Sequence, residues 1–285
     1  MIRPLIPWPV LVVTDERILV VADLHLGYEY SLADKGMYLP SQTAKVQGRL
    51  LQVIHEYRPR SLIILGDVKQ AIPRISLEEW KDVPDFFEAI GAAVREIQVI
   101  IGNHDGDLEP LTPPSVKILP AGGIVVGRKL RIGLFHGHAW PSPDVLSSDI
   151  MVMGHIHPIV RFRDKIGLRS VRQAWVRVPL DRMKLREAYL RYARSRSLRA
   201  RSEVAEKLPS DRVENQKLMI IPAFNDLLGG VPVNHLGARP MGPVLRSGCL
   251  DLNSAEVYLL DGTFLGRNQD IQDLESPTQP VESNE

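Results

Sequence analysis

Residues 18–25 read Ile-Leu-Val-Val-Ala-Asp-Leu-His, an apolar run of mostly β-branched residues that ends in an aspartate and a histidine. Such a run predicts a buried strand, and the polar pair marks its carboxyl end. The pattern returns four times along the chain. The later apolar runs end in 66–67 (Gly-Asp), 102–105 (Gly-Asn-His-Asp), 136–138 (His-Gly-His) and 154–157 (Gly-His-Ile-His).

Helical patterns lie between these strands. Residues 41–57 place apolar side chains at helical spacing behind Ser41, a predicted N-cap, and residues 77–94 form a second helical stretch interrupted near Pro84. Residues 2–21 predict a leading hairpin. Strands that alternate with helices indicate a layered α/β fold, in which ligands gather outside the carboxyl ends of the strands. The five polar clusters are therefore expected to converge on one crevice.

Histidine is concentrated in these clusters. Six of the eight histidines follow a predicted strand, and only His55 and His235 do not. Imidazole is a common ligand of transition metals, and aspartate supplies charge and can bridge two ions. An isolated histidine is usually a packing or surface residue, but that interpretation explains six clustered histidines poorly. The clusters therefore predict a metal site.

The five clusters, taken in order, resemble the signature of the calcineurin-like metallophosphoesterases over residues 18–158. Residues 22–29 (Ala-Asp-Leu-His-Leu-Gly-Tyr-Glu) are similar to the SbcD-related archaeal phosphoesterases and to bacterial ligase-associated ones. Residues 221–225 and 228–230 are also similar to the archaeal branch. The resemblance implies a calcineurin-like four-layer α/β sandwich, with two mostly mixed β-sheets flanked by helices and a dimetal site at the carboxyl ends of the strands.

The resemblance also implies a set of metal ligands. One divalent ion would be held by Asp23, His25 and His157, the other by Asn103, His136 and His155, and Asp67 would bridge the two. Manganese is the metal that the resemblance favours, and iron, zinc, cobalt and nickel are alternatives that suit nitrogen and oxygen ligands equally. A hydroxide between the metals would attack the phosphorus atom.

Five further residues receive roles around the metals. His104 would act as a general acid or position the phosphate, and Asp105 would orient it by accepting a ring hydrogen bond. His138, Gln70 and Lys69 are predicted substrate contacts, with packing an equal alternative for His138 and a surface position for Lys69. Gln70 stands where many relatives have a histidine, and glutamine cannot act as an acid with a pKa near 7. Strong nuclease activity is therefore less expected than phosphoesterase chemistry in general.

Charge is unevenly distributed along the chain. Residues 161–212 hold thirteen Arg and three Lys against six acidic residues, a balance of +10 in a chain of net charge +1. This basic segment predicts contact with a nucleotide or nucleic acid, although a solvated helix would carry the same pattern. The resemblance adds a helicase or ATPase as a protein partner. We divide the chain into a phosphoesterase domain (1–266) with a basic helical insertion at about 180–216, and an acidic disordered tail (267–285).

Three functions remain open from the sequence. The first is a phosphodiesterase that acts on nucleotides or nucleic-acid ends, and the second is a small-molecule phosphatase or nucleotide pyrophosphatase. The third is a scaffold that binds a helicase or ATPase partner with little catalysis, which the complete set of ligands disfavours. No apolar run is long enough to span a bilayer, no export signal is evident, and the single Cys249 fits a reducing compartment. We therefore expect a cytoplasmic protein without a membrane partner, of unassigned oligomeric state.

Overall fold

A computed structural model describes residues 1–164, 166–194, 216–235 and 241–275. The helices in these ranges are α1 (Tyr28–Ala33), α2 (Thr43–Tyr57), α3 (Glu79–Ala93), α4 (Pro143–Leu146), α5 (Arg182–Arg194) and α6 (Pro243–Arg246). The strands are β1 (Ile2–Pro4), β2 (Leu11–Val13), β3 (Ile18–Val21), β4 (Ser61–Ile64), β5 (Glu96–Ile100), β6 (Val116–Leu119), β7 (Ile124–Val126), β8 (Ile132–Phe135), β9 (Ile150–Met153), β10 (Ile159–Arg163), β11 (Arg169–Pro179), β12 (Lys217–Ile220), β13 (Glu256–Leu259) and β14 (Phe264–Arg267). None of these helices is long and apolar enough to cross a membrane.

The strands form two mixed sheets. The first has the order β1-β2-β3-β4-β5-β6, in which β3 to β6 are parallel and β1 and β2 are antiparallel. The second has the order β14-β13-β11-β12-β9-β8-β7, and β10 pairs with β11. Its strands β8, β9 and β12 are parallel, and the others pair antiparallel. The predicted pair of mixed sheets flanked by helices is confirmed.

Alternation along the strands explains the four layers. In β3, Leu19 and Val21 pack with α2 and α3, whereas Ile18 and Val20 face the second sheet. Successive side chains of a strand point to opposite faces, so a strand covered on both sides is apolar throughout. The core between the sheets draws on both of them and includes Leu11, Val13, Ile63, Leu134, Val152 and Trp175. The outer face of the second sheet packs against α4, α5 and α6.

Both predicted helices form, but the N-cap of α2 and the path of α3 through Pro84 differ from the prediction. Helix α2 has Gln42 at its N-cap, with no side-chain hydrogen bond, so the expected Ser41 cap is not formed. Helix α3 continues through Pro84 without interruption. A proline inside a helix costs about 3 kcal/mol. The fully buried side chains of Val83, Phe86 and Phe87 outweigh this cost, since each contributes about 1.5–3 kcal/mol.

The start of the predicted basic insertion belongs to the core. Helix α5 buries Leu185, Tyr189 and Ala193 against the second sheet. Residues 195–215, the remainder of this insertion apart from Gln216, lie outside the described residues.

The first part of the predicted acidic tail carries regular structure. Arg267 ends β14, and two 3-10 turns follow at Asn268–Asp270 and Gln272–Glu275. Ile271 between them is buried against the second sheet. Residues 276–285 lie outside the described residues.

Candidate metal centre

The polar clusters that follow β3, β4, β5, β8 and β9 meet in one crevice, where the carboxyl ends of both sheets face each other. Asp23, His25 and His157 form one group whose ligand atoms lie within 4.8 Å of one another, and Asp67, His136 and His155 form a second. The sequence-predicted ligand residues thus come together across the two sheets.

Asp67 lies between the two groups. Its Oδ2 atom is 3.4 Å from Nε2 of His25 and 3.4 Å from Nε2 of His136. Nε2 of His136 is in turn 3.2 Å from Oδ1 of Asn103 and 3.2 Å from Nδ1 of His155. In the first group, Nε2 of His157 is 3.4 Å from Oδ1 of Asp23. One carboxylate is therefore within reach of both groups, as a bridging ligand must be.

The chemistry of these residues fits divalent cations. Asp23 and Asp67 are both almost fully buried, and a buried carboxylate needs a compensating positive charge. Nε2 of His25 and Nε2 of His157 are buried, and neither has a hydrogen-bond partner among the described residues. Two buried carboxylates beside imidazole nitrogens that make no hydrogen bond in the described part of the chain form a donor set suited to manganese, iron, zinc, cobalt or nickel.

Backbone and amide oxygens fix the orientation of three imidazole rings. Nδ1 of His25 is 2.7 Å from Oε1 of Gln70, Nδ1 of His136 is 2.6 Å from the carbonyl oxygen of Leu65, and Nδ1 of His157 is 3.1 Å from the carbonyl oxygen of Gly229. When Nδ1–H donates to such an acceptor, the Nε2 lone pair points into the crevice.

The pKa values follow from burial and from the neighbouring carboxylates. Burial lowers the pKa of His25 and of His155 to about 4, so both rings are neutral and able to bind a metal at pH 7. Burial also opposes charge on His136, but its hydrogen bond to Asp67 and the charges of Asp67 and Asp23 raise its pKa to about 9. The pKa values of both aspartates lie below their ordinary value, because the attraction of nearby histidines exceeds the cost of burial.

Five of the predicted ligands adopt a left-handed backbone, which L-residues rarely do. The residues with positive φ are Asp23 (58°), His25 (41°), Asp67 (53°), His155 (73°) and His157 (46°). Such a conformation costs about 1–3 kcal/mol for each residue and persists only where surrounding contacts enforce it. Here the backbone N–H of His155 donates to the carboxylate of Asp23 at 3.0 Å, which joins the two sheets at the site.

Glycines permit the close approach of these segments. Gly66 has φ of 76°, and a Cβ at that position would lie 2.6 Å from Nδ1 of His136. A Cβ at Gly154 would lie 2.7 Å from Oδ2 of Asp23. Both distances are too short for a side chain, so the ligands can approach this closely only because glycine stands there.

The contacts of His104 and Asp105 differ from the predicted ones. The carboxylate of Asp105 accepts backbone N–H bonds from Asp67 (2.7 Å), Val68 (2.9 Å) and Gly102 (2.9 Å), and no ring hydrogen bond from His104 is seen. Nδ1 of His104 instead lies 2.6 Å from the carbonyl oxygen of Gln70. Burial, with Asp67 nearby, raises the pKa of Asp105 to about 6. Asp105 thus fixes the turn that carries Asp67, because its carboxylate accepts the backbone N–H groups of Asp67 and Val68 in that turn.

The three predicted substrate contacts occupy different environments. The half-buried Gln70 contacts His25, and Lys69 is buried, where its Nζ donates to the carbonyl oxygen of Ala71. The burial of Lys69 excludes the surface alternative, and its role as a substrate contact stays a prediction. The half-buried His138 has its ring 5.2 Å from the His136 ring, and its Nδ1 has no hydrogen-bond partner among the described residues.

Glu79 is a supporting residue that the sequence analysis missed. Its carboxylate accepts the backbone N–H groups of Gln70 (2.9 Å), Ala71 (2.6 Å) and Ser76 (3.0 Å). The hydroxyl oxygen of Ser76 accepts the N–H of Glu79 at 3.2 Å in return. This is a capping box, and its Ser-x-x-Glu pattern at 76–79 was the available signal. Glu79 thereby holds the loop that presents Gln70.

Comparison with known proteins places the chain among phosphoesterases. The family model for calcineurin-like phosphoesterases matches residues 16–184. Phosphodiesterase YfcE of Escherichia coli is 27% identical over 128 residues, a match that spans 41% of this chain and 66% of that protein, just under two thirds of its length. The crystal structure of the Pseudomonas putida nuclease MPE is similar with a TM-score of 0.50 and 19% identity, over 90% of this chain and 91% of that one. At this identity the similarity bears on the fold alone, and it agrees with the predicted four-layer sandwich.

Proposed function

Because the chain belongs to the calcineurin-like phosphoesterase family, we propose that it hydrolyses phosphate esters at two divalent metal ions. The observation that carries the proposal is the position of Asp67, whose Oδ2 is 3.4 Å from a histidine nitrogen of each ligand group. One ion would be held by Asp23, His25 and His157, the other by Asn103, His136 and His155, and Asp67 would bridge them.

Residues of the chain would hold these ions in place, and His104 would supply a proton beside them. Two divalent ions bound here would polarise the phosphoryl oxygens and lower the pKa of a water held between them. The backbone N–H of His104 donates to Oδ1 of Asp67 at 2.9 Å, which ties His104 to the proposed bridging ligand. Nδ1–H of His104 can donate to the carbonyl oxygen of Gln70, so Nε2 is the nitrogen left for the substrate, and as a general acid it would donate to a leaving-group oxygen from the imidazolium form of the ring.

We extend the proposal to phosphodiesters, to the SbcD-related branch and to manganese. A curated relative is named a phosphodiesterase, and the structural relative from Pseudomonas putida is named a nuclease. Residues 22–29 support the SbcD-related branch by resemblance. Ligands that are all nitrogen and oxygen suit manganese.

We also propose that the basic segment contacts nucleic acid or a helicase or ATPase partner. Its exposed basic side chains in the described part of the chain include Arg169, Arg172, Lys184, Arg191 and Arg194. Because α5 packs into the core, deleting it would test stability rather than binding. The sharper test is to replace Arg191 and Arg194 by Gln and to measure DNA retention at several salt concentrations. Unchanged DNA retention at low salt would contradict the proposal that the basic segment contacts nucleic acid.

The experiment on activity compares bis(4-nitrophenyl) phosphate with 4-nitrophenyl phosphate, with and without Mn²⁺. We expect metal-dependent turnover that is faster with the diester. His104→Ala should lower kcat by about 10²- to 10⁴-fold, whereas the exposed control His55→Ala should not. Faster turnover of the monoester would favour the small-molecule phosphatase. Absence of turnover with two ions bound per chain would favour the scaffold.

A further inference from the structure

A cavity of about 370 Å³ lies beside the metal centre, between the loop after β8 and the helices α5 and α6. Its lining includes His138, Trp140, Tyr192, Gly242 and Arg246. Neither the metal ligands nor the residues assigned to proton transfer form its walls, so the proposed chemistry leaves this cavity unused.

The cavity adjoins the second ligand group directly. The His138 ring, one of its walls, lies 5.2 Å from the ring of His136 and 6.3 Å from that of His155. Gly242, another wall, also lies near His155, because a Cβ built at Gly242 would lie 3.7 Å from Cδ2 of His155. A group in the cavity would therefore be separated from a metal ligand by about one side chain.

Aromatic rings form one side of the cavity. The rings of Trp140 and Tyr192 are stacked, with centroids 5.6 Å apart and planes 29° apart. Tyr189 packs edge-on against Trp140 at 5.4 Å, and Tyr189 is itself buried in the core. Contact with the buried Tyr189 thus fixes the position of the Trp140 ring. Planar aromatic surfaces of this kind stack nucleobases without sequence preference.

Positive charge accompanies the aromatic pair. The exposed Arg246 is one of the lining residues, and the exposed Arg191 and Arg194 lie on α5, the helix that carries Tyr192. Phosphate groups next to a stacked base would meet these cations, since phosphate contacts dominate the affinity of proteins for nucleic acids. Aromatic stacking and positive charge together point to a nucleoside phosphate rather than to an apolar ligand.

We propose that this cavity binds the nucleobase of a nucleoside phosphate whose ester is cleaved at the metal centre. The inference rests on the proposed phosphoesterase function and names its substrate class. Trp140 and Tyr192 stack the base, and Arg246 attracts the phosphates. The same unit occurs in a free nucleotide and at the end of a single strand.

The first test compares two diesters that share a leaving group, thymidine 5′-(4-nitrophenyl phosphate) and methyl 4-nitrophenyl phosphate, in Mn²⁺. In Tyr192→Leu we expect kcat/KM for the thymidine ester to fall about tenfold, which is within the range for one stacked base, while the methyl ester is unaffected. Tyr192→Phe, which keeps the ring, should retain the preference. Phe264→Leu is the matched control, because this aromatic residue is exposed on β14 and does not line the cavity. An equal loss on both esters, or no loss, would overturn the inference.

The second test does not need turnover. Binding of AMP and of ribose 5-phosphate to the manganese-loaded protein is measured by calorimetry for the same variants. AMP should bind about tenfold more tightly than ribose 5-phosphate, and Tyr192→Leu should remove the difference. Equal affinity of the wild type for both ligands would refute the base site.

Failure of the proposed function is distinct, because it would abolish hydrolysis of the methyl ester and leave the AMP preference intact. A third arm, cleavage of a single-stranded oligothymidylate, distinguishes strand ends from free nucleotides.

Discussion

The contact between Gln70 and His25 shows how one residue acquires its role from the fold. From sequence, Gln70 was a predicted substrate contact at a position where many relatives have histidine. In the structure its Oε1 is 2.7 Å from Nδ1 of His25, which directs Nε2 of His25 toward Asp67. The glutamine thus supports a predicted metal ligand, because an amide oxygen can accept a ring N–H as a carbonyl oxygen does.

Removal of this support should weaken metal binding. We expect Gln70→Ala to lower the affinity for Mn²⁺ about 10- to 100-fold, since the ring of His25 loses the acceptor that orients it. Competition with a fluorescent chelator measures the affinity. The matched control is Gln52→Ala, whose exposed side chain donates a hydrogen bond to Glu56 on the outer surface of α2. Equal affinities for wild type and Gln70→Ala would show that the contact has no part in metal binding.

The raised pKa of His136 predicts that metal binding depends on pH. In the metal-free protein its pKa is raised to about 9, so the ring carries a proton at pH 7 and must lose it to become a ligand. Binding at pH 7 should therefore release about one proton, and affinity should fall as the pH decreases from about 9. Calorimetry in two buffers of different ionisation enthalpy measures the release. Identical heats in both buffers would contradict the assignment.

At the scale of elements, strand ends determine the site. The sequence predicted buried strands before each polar cluster, and the structure has β3, β4, β5, β8 and β9 at those places. It did not predict that Asp23, His25, Asp67, His155 and His157 would adopt positive φ. This conformation is imposed by contacts between distant segments, such as the N–H of His155 with Asp23, and no local pattern reveals it.

The turn after β4 provides a stability test. Gly66→Ala should lower the free energy of unfolding by more than about 2 kcal/mol, because φ is 76° and a Cβ would lie 2.6 Å from His136. Gly48→Ala is the matched control in α2, where nothing lies within 4 Å of the added Cβ. This helical substitution should raise the stability by about 0.5–1 kcal/mol. Urea unfolding of metal-free protein measures both, and a similar effect of the two substitutions would contradict the account of the turn.

Helix α5 marks a limit of prediction at the same scale. The run of basic residues in this part of the sequence suggested an insertion, yet Leu185 and Tyr189 anchor the helix to the core. Three apolar side chains at helical spacing were the signal, and the surrounding arginines obscured it. Trp140 was overlooked for a different reason, since its partner Tyr192 lies far along the chain and only the fold brings the two rings together.

At the scale of the whole molecule, two sheets bring their carboxyl ends to one crevice. The fold class and the types of residue at the crevice could be predicted, because buried strands and clustered histidines leave strong local patterns. The orienting acceptors at Leu65 and Gly229 could not, since backbone carbonyl oxygens leave no mark in a sequence. The roles of the predicted ligands and the partner of the basic segment stay predictions.

The central claim is that Asp67 joins two metal ions into one hydrolytic site. The most direct test measures manganese content and hydrolysis of bis(4-nitrophenyl) phosphate on the same samples of wild type, Asp67→Asn and the exposed control Asp85→Asn. We predict two ions per chain and turnover for wild type and control. The turnover of Asp67→Asn should fall more than about a hundredfold, because even the loss of a residue that only supports a metal ligand lowers metal affinity or activity about 10- to 100-fold. Full turnover by Asp67→Asn, or by wild type stripped of metal, would contradict the account.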